Sequence, residues 1–145
     1  MEDGYLFKAK RVDNGEWVQG YLFDDGFENG RIFIGGLVIE KYNGTACDDW
    51  NVTGIDFCEV DPSTICRCTG LEDKNGNLIW ENDVVKGKYY DNGKSHRHIG
   101  QVKYICESYK VVGIKQYTGY HARLDWSYEV IGNIFDNPEL LESEG

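Results

Sequence analysis

The fold of this chain is decided by the stretch Thr69-Gly70-Leu71-Glu72-Asp73-Lys74-Asn75-Gly76-Asn77-Leu78-Ile79-Trp80-Glu81-Asn82-Asp83-Val84-Val85, where two turn signals alternate with two apolar clusters. Asn75-Gly76 predicts a tight reversal, because both residues tolerate a left-handed backbone. Glu81-Asn82-Asp83 predicts a second reversal, with Asn82 at positive φ and Asp83 accepting hydrogen bonds from nearby backbone amides. The apolar residues beside these turns are expected to form a structural joint: Leu71, Ile79, Trp80 and Val84.

Strands and turns are also predicted on the N-terminal side of this stretch. Eighteen glycines against two prolines, with 14% aromatic residues, favour short strands joined by tight turns. Strands over residues 5–12 and 17–23 are joined by a turn at Asp13-Asn14-Gly15, and strands over 31–34 and 37–39 are separated by a break at Gly35-Gly36. The polar residues 43–51 are predicted to form a loop, and Pro62 to begin a turn or short helix.

Further strands are predicted on the C-terminal side, over residues 99–106, 109–115 and 124–134. Near the C-terminus, Asn137 is expected to cap a helix of one or two turns, with Pro138 at its first position and Glu139 near the positive end of its dipole. The fold class is therefore expected to be all-β with minor α.

Length and composition suit one unit over residues 1–145, with an N-terminal β subdomain over 1–65 and a second subdomain over 66–145. No apolar run approaches the roughly 20 residues needed to span a bilayer. The start Met1-Glu2-Asp3-Gly4 lacks the basic and apolar regions of an export signal. A cytoplasmic location and no membrane partner are expected.

The five cysteines, an odd number in a chain without an export signal, are expected to be reduced thiols. Cys66 and Cys68 point to one face if their segment is a strand, and with Cys58 and His121 they could complete a zinc site. The paired C-x-x-C spacing of structural zinc sites is absent. Buried thiols that act as small apolar side chains are therefore favoured, and no metal or cofactor is expected.

Several motifs occur in the order of a known family. Val60-Asp61-Pro62-Ser63-Thr64 and Thr69-Gly70-Leu71 precede the turn and apolar signals described above, and Glu129-Val130-Ile131-Gly132-Asn133-Ile134-Phe135-Asp136-Asn137-Pro138-Glu139-Leu140-Leu141 closes the chain. Together with Lys8-Ala9-Lys10 and the hairpin around Gly15, this order resembles the YopX family of phage and prophage proteins. Cys68 and Asn82 depart from the family, which more often has tyrosine and glycine there. The motif residues to which we assign structural roles are Thr69, Gly70, Leu71, Asn75, Gly76, Trp80, Asp83, Gly132, Asn133 and Pro138.

The resemblance implies an SH3-like β-barrel over residues 66–145, with a short C-terminal helical turn and with the N-terminal strands packed against it. It also implies an origin in a phage or prophage and hence a bacterial host, but it brings no established activity. The residues agree with a small barrel, because glycines at corners let short strands curl and close.

Charge gives a functional indication that is independent of the resemblance. The net charge is −10, which disfavours nonspecific nucleic-acid binding, but residues 84–124 hold eight basic and two acidic residues. Basic side chains with interleaved tyrosines could bind single-stranded nucleic acid by phosphate pairing and base stacking. Solvated strand faces are the competing interpretation. The candidate residues are Lys86, Lys88, Tyr89, Lys94, Arg97, Lys103, Tyr104 and Lys110.

The remaining sequence is acidic, and residues 1–65 hold 13 acidic and five basic residues. Oppositely charged halves could pair between subunits, so a non-enzymatic binding protein that forms a homo-oligomer is the preferred hypothesis. Nucleic-acid contact is the alternative. A less favoured hypothesis is an acidic decoy for a host DNA-binding protein, and a phage or host protein partner is compatible with each.

Enzyme activity is not indicated by any motif. His96-Arg97-His98 near Asp91 is predicted to lie at an exposed hairpin tip, with both histidines on the surface rather than in a metal-dependent hydrolase site. Cys106 and His121 could formally be a nucleophile and base, but no local pattern supports them. Gly35-Gly36 lacks the helix and lysine of a phosphate-binding loop.

Overall fold

The computed structural model describes residues 6–27, 30–42 and 49–142, with side chains outside 37–42 and 49–55. These residues group into two compact units, one ending at Ile65 and the other beginning at Cys66. The described elements are antiparallel strands and short 3₁₀ turns, which confirms the all-β prediction. None of the described helices is long and apolar enough to span a membrane.

The N-terminal unit is an antiparallel sheet of β1 (Phe7–Lys10), β2 (Trp17–Asp24), β3 (Ile32–Tyr42) and β4 (Asp49–Val60), each strand paired with the next. The sheet curls, because Arg11 bridges Val60 and the Asp61 N–H donates to the Lys10 carbonyl at 2.8 Å. The curl encloses a small core of Ala9, Ile34 and Val60. A 3₁₀ turn, Pro62–Thr64, follows β4, as predicted for Pro62.

Two predictions in this unit are wrong. β3 continues through Gly35-Gly36, because an added Cβ on Gly35 would overlap the Asp56 carbonyl oxygen, so this glycine permits close strand approach and makes no turn. Residues 49–51, predicted as loop, lie in β4. The rest of that predicted loop, residues 43–48, lies outside the described residues.

The C-terminal unit contains the hairpin β5 (Cys66–Glu72) and β6 (Leu78–Trp80), and a five-stranded sheet. Its strands are β7 (Asp83–Asp91), β8 (Lys94–Ile105), β9 (Ser108–Gly113), β10 (His121–Arg123) and β11 (Glu129–Asn133), in the order β10-β9-β8-β7-β11. The 3₁₀ turns Lys115–Tyr117 and Pro138–Leu141 complete it. The core comprises Ile79, Val85, Val102, Val111, Leu124 and Tyr128.

Strand boundaries differ from the prediction in this sheet. β8 begins at Lys94 because Asn92 and Gly93, at φ of 50° and 76°, make a tight turn that keeps the whole hairpin paired. The predicted strand over 124–134 is confined to β11, because Asp125 accepts the Ser127 N–H at 2.8 Å and turns the chain first. β10 was not predicted.

Three of the four apolar side chains beside the two turns around Trp80 are buried. Trp80 is 4% exposed, and Ile79 and Val84 are fully buried, but Leu71 is 40% exposed, so its predicted burial is wrong. Asn82 has the predicted positive φ, 73°, and its N–H donates to the Val102 carbonyl at 2.9 Å. Asp83 accepts the Trp80 N–H at 2.8 Å, as expected of a turn aspartate.

Asp73 is a buried carboxylate that connects the β5–β6 turn to β11. Its Oδ1 accepts the N–H groups of Asn75 and Asn77 at 2.9 and 2.8 Å, and its Oδ2 accepts the Val130 N–H at 3.0 Å. Burial raises the pKa of Asp73, but these backbone hydrogen bonds outweigh it and hold the pKa below its ordinary value. Gly76, at φ 83°, and Gly70, at φ 78°, supply the left-handed residues of this hairpin, and Thr69 donates to the Ile79 carbonyl at 2.7 Å.

The closing motif is held by two asparagines. Asn133 accepts the N–H groups of Phe135 and Asp136 at 2.9 and 2.8 Å, which starts the turn into Pro138. Asn137 precedes the 3₁₀ turn as predicted, but its side chain accepts the Asn133 N–H at 3.2 Å instead of capping the turn. Gly132 is required here, because an added Cβ would lie 2.5 Å from the Asn137 Oδ1.

Candidate polyanion-binding face

The register of the five-stranded sheet separates basic side chains from the core. Because successive strand residues alternate between faces, the register partners of buried Val85, Val102 and Val111 lie on the core side. Their sequence neighbours lie on the opposite side, which we call the solvent side although Val84 is buried there. Six basic residues lie on this solvent side, and we call them the cationic face: Lys86, Lys88, Arg97, Lys103, Lys110 and Arg123.

Like charges stand directly opposite one another within the cationic face. Lys103 pairs with Lys110, which pairs in turn with Arg123, so that three cations form a row across β8, β9 and β10. Lys88 and Arg97 form a second such pair across β7 and β8. Directly opposed residues have Cβ atoms only about 5 Å apart, so these pairs destabilise the sheet.

No carboxylate among the described residues forms an ion pair with these six cations. Glu129, which lies opposite Lys86, instead bonds the Lys74 ammonium at 3.3 Å and accepts from the Asn75 amide at 3.4 Å. Around it is an open pocket of about 400 Å³. Its lining includes Lys74, Lys86, Lys88, Tyr90, Arg97 and Glu129.

The predicted tyrosines do not share this face. Tyr89 lies on the opposite side of β7, stacked between His96 and Tyr120 with ring centroids 5.1 and 5.2 Å away. Tyr104 packs against Tyr109 at 5.0 Å, with the Arg67 guanidinium 5.7 Å from its ring centroid. The tyrosine on the cationic side is Tyr90, which is 76% exposed.

Lys94 also stands apart from the cationic face. It begins β8, exposed, where its register partner is Asp91 beside the hairpin turn. The structure therefore places Lys86, Lys88 and Arg97 in one group and Lys103 and Lys110 in a second group on the same side of the sheet, roughly 20 Å apart along β8, and leaves Tyr89, Lys94 and Tyr104 outside both.

His98 is fully buried, so its predicted surface position is wrong. Its Nε2 lies 3.1 Å from the Tyr120 carbonyl, which can only accept, so Nε2 carries the proton and Nδ1 accepts from the Tyr128 hydroxyl at 3.0 Å. Burial lowers the pKa of His98 and raises that of Tyr128 to about 12. Gly87, opposite His98 in the register, makes the room, because an added Cβ would lie 2.6 Å from the Tyr128 ring.

The other candidate sites are not assembled. Cys106 follows Ile105, the partner of Ser108, whereas His121 is opposite Val112, so the two side chains are about four strand positions, roughly 13 Å, apart. Cys66 and Cys68 are buried at 1% exposure, as expected of small apolar side chains. Within the part of the chain that the structure describes, no group of three or more His, Cys, Asp or Glu side chains could hold a metal ion. Cys47 lies outside that part.

Sequence reasoning left Arg123 and Tyr90 out of the candidate set. Arg123 joins the row only because β10 pairs with β9, and β10 is three residues long, too short to show an alternating pattern. Tyr90 differs from Tyr89 only in the side of the strand that it occupies, which the register with β8 decides.

The fold and this surface define a small all-β protein with antiparallel sheets and a solvent-facing row of cations. A family model described as YopX protein matches residues 7–142, so this chain belongs to the YopX family. No curated protein matches the chain. A crystal structure of protein EF1440 from Enterococcus faecalis is similar, with 22% sequence identity, coverage of 94% of this chain and 96% of that one, and a TM-score of 0.48.

Proposed function

We propose that this YopX-family protein is a non-enzymatic binding protein whose cationic face contacts the phosphate backbone of nucleic acid. The observation that carries the proposal is the row Lys103, Lys110 and Arg123, in which three like charges oppose one another with no ion-pair partner among the described residues. Cross-strand repulsion of this kind lowers fold stability, and a bound polyanion removes it.

The proposed contact is with phosphates rather than bases. Tyr89 is held between His96 and Tyr120, so it is not available as a stacking platform, and Tyr90 is the exposed ring beside the cations. Because the chain has a net charge of −10, attraction at long range is weak. At physiological salt the Debye length is about 8 Å, so direct contacts dominate, and a dissociation constant near the weak end of nonspecific binding, about 100 μM, is expected.

Architecture and origin are part of the same proposal. We infer that residues 66–145 form an SH3-like barrel, a subdomain beside the β subdomain of residues 1–65. The strand order β10-β9-β8-β7-β11 supports this, because β11, which follows the meander of β7 to β10, pairs with the first strand of that meander. Membership of the YopX family supports a phage or prophage origin and the cytoplasm of a bacterial host as the place of action.

Fluorescence anisotropy with labelled 20-nucleotide single strands and duplexes, measured from 25 to 300 mM KCl, tests the proposal. The logarithm of affinity should fall with that of salt concentration, with a slope of about −4 for single strands if all six cations contact phosphates. Replacing Lys103, Lys110 and Arg123 by serine should weaken the slope by about 2 units. Absence of binding at 25 mM KCl would refute the proposal.

Two single substitutions provide the matched controls. Lys94→Ser removes the same charge as Lys110→Ser but lies outside the cationic face, so it should leave the salt slope nearly unchanged. Lys110→Glu should weaken binding while stabilising the fold by about 0.5–1 kcal/mol, because it converts two like-charge pairs into two opposite-charge pairs. Equal binding losses in Lys94→Ser and Lys110→Ser would show that only net charge matters.

Self-association by oppositely charged units is the second candidate, favoured by the acidic bias of residues 1–65 against the basic window 84–124. It predicts oligomers that dissociate as salt is raised. The acidic-decoy hypothesis gains less support, because several of the described carboxylates are already engaged. Asp13 pairs with Arg11, Glu59 with Arg31, and Asp61 with Ser63.

A further inference from the structure

The solvent side of the N-terminal sheet carries aromatic side chains. Ala9, Val18 and Ile34 face the small core, and the alternate residues of the same strands face outward. Tyr21, Phe23 and Phe57 are 37%, 45% and 52% exposed. With the half-buried rings on the same side they form what we call the aromatic face: Trp17, Tyr21, Phe23, Phe33 and Phe57.

The register makes this face continuous. Tyr21 and Phe57 lie on either side of Gly35, and Phe23 is directly opposite Phe33. Phe33 and Phe57 contact edge to face, with ring centroids 5.3 Å apart. Gly35 has no side chain, and an added Cβ there would lie 2.6 Å from the Phe57 Cβ, so the glycine lets the Phe57 strand approach closely.

The charged side chains around the aromatic face form an ion pair or lie over aromatic rings. Arg31 donates to Glu59 at 2.9 and 2.8 Å and stands 5.4 Å from the Phe33 ring centroid. The Lys8 and Lys10 ammonium groups lie 4.7 and 5.4 Å from the Trp17 ring. These groups are three cations and one carboxylate, so the face is cationic within a segment, residues 1–65, that has 13 acidic and five basic residues.

We infer that this face is the interface of a homodimer, with the aromatic face of a second copy as its occupant. At about 200 Å² per aromatic side chain, the exposed parts of Tyr21, Phe23 and Phe57 amount to roughly 270 Å². That is an adequate apolar centre for a patch of about 800 Å² per partner, with Lys8, Lys10, Arg31 and Glu59 as its polar rim.

A second copy fits the face better than a nucleic-acid strand does. Two chains of net charge −10 repel each other, and on the aromatic face the rim carboxylate, Glu59, is already bonded to Arg31. A two-fold axis also places the same patch on both partners, so each aromatic residue of the face is buried in both copies. A single strand lying there would hold its phosphates beside the acidic remainder of the unit.

Sedimentation equilibrium between 5 and 300 μM protein, at 50 and 500 mM NaCl, tests the inference. We expect a monomer–dimer equilibrium that is stronger at 500 mM NaCl, because salt screens the repulsion and leaves apolar contact intact. Each of Tyr21→Ser, Phe23→Ser and Phe57→Ser should lower the association constant about tenfold, and the triple variant should be a monomer. Trp126→Ser is the control, since Trp126 is 77% exposed but lies in the other unit.

Four outcomes would overturn the inference. The first is a monomer at 300 μM at both salt concentrations, and the second is an equal loss of association in Trp126→Ser. The third is a dimer that dissociates as salt is raised. The fourth is a monomer in which Phe57→Ser weakens binding of a labelled DNA single strand. The third would indicate pairing of oppositely charged units, and the fourth a base-stacking platform. If circular dichroism shows that the triple variant is unfolded, the association constant of the single variant Phe57→Ser is used instead.

Discussion

Asp73→Asn is expected to destabilise the C-terminal unit by about 3 kcal/mol at pH 7. The carboxylate accepts three backbone N–H groups, two from its own turn and one from Val130, 57 residues away. Asparagine keeps one acceptor oxygen and presents an NH₂ group in place of the other. If the oxygen stays on Asn75 and Asn77, the NH₂ opposes the Val130 N–H, and one donor loses its partner.

The magnitude follows from two contributions. A buried N–H group left without a partner costs about 1–3 kcal/mol, and exchanging a charged for a neutral acceptor weakens each of the two remaining bonds by about 0.5–1 kcal/mol. Asp73→Ala leaves all three N–H donors without their acceptor and should cost more, about 4–5 kcal/mol. Because natural domains are stable by only 5–15 kcal/mol, either change should be easily measured.

The acid dependence provides a second readout. The pKa of Asp73 is lower in the folded protein than in the unfolded chain, so its contribution to stability is present above the unfolded value, about 4, and is lost as pH falls through the folded value. The difference in unfolding free energy between the wild type and Asp73→Asn should therefore be largest at pH 7 and should shrink below pH 4.

Urea unfolding followed by tryptophan fluorescence at pH 7, 5 and 3.5 measures both effects. Glu72→Gln, which changes an exposed carboxylate of the same hairpin, is the control and should alter stability by less than about 0.5 kcal/mol. A cost below 1 kcal/mol for Asp73→Asn at pH 7, or a cost that does not decrease at pH 3.5, contradicts the assigned role of Asp73.

Three further predictions concern the core of the C-terminal unit, and urea unfolding measures each. Trp80→Ala should lower the free energy of unfolding by about 3–5 kcal/mol, because the ring is buried. A change near zero would indicate that Trp80 lies on the surface. Gly87→Ala should cost about 1–3 kcal/mol, because its Cβ would meet the Tyr128 ring, whereas Gly36→Ala, with 3.8 Å of clearance, should be tolerated. The pKa of His98 is lowered in the folded protein, so below pH about 6.5 this imidazole is protonated in the unfolded chain but stays neutral in the folded one. The free energy of unfolding therefore falls by at most about 1.4 kcal/mol per pH unit. His98→Gln should remove that part of the decline, and an unchanged pH profile would contradict the buried neutral imidazole.

Local signals in the sequence predicted the parts of the fold that depend on neighbouring residues. Gly76 and Asn82 take the left-handed conformations expected of them, and Pro62 begins a turn, because each effect acts within a few residues. Cys106 and Glu107 also have positive φ, 51° and 68°, although neither residue type favours it. Their conformation is imposed by the pairing of β8 with β9, which no local pattern reveals.

The sequence predicts the positive charge of the candidate site but not the arrangement of its side chains. The count of basic residues between 84 and 124 indicated a cationic surface, yet which of them share a face depends on the strand register. Burial of His98 depends on Tyr128, 30 residues later, and on the space left by Gly87. The aromatic face depends on which side of the sheet Trp17, Tyr21, Phe23 and Phe57 occupy, whereas aromatic content predicts only that a segment forms a strand.

The curled N-terminal sheet bears on how this protein can evolve. Lys10 and Asp61 are hydrogen-bonded neighbours, and the Lys10 N–H also donates to Thr64 at 2.8 Å, so the segment leaves the unit where it entered. A segment whose two ends adjoin can be inserted into or removed from a host chain at one surface point. Substitutions within residues 6–65 can therefore change the aromatic face while the sequence of the cationic face, which lies within residues 84–124, stays the same.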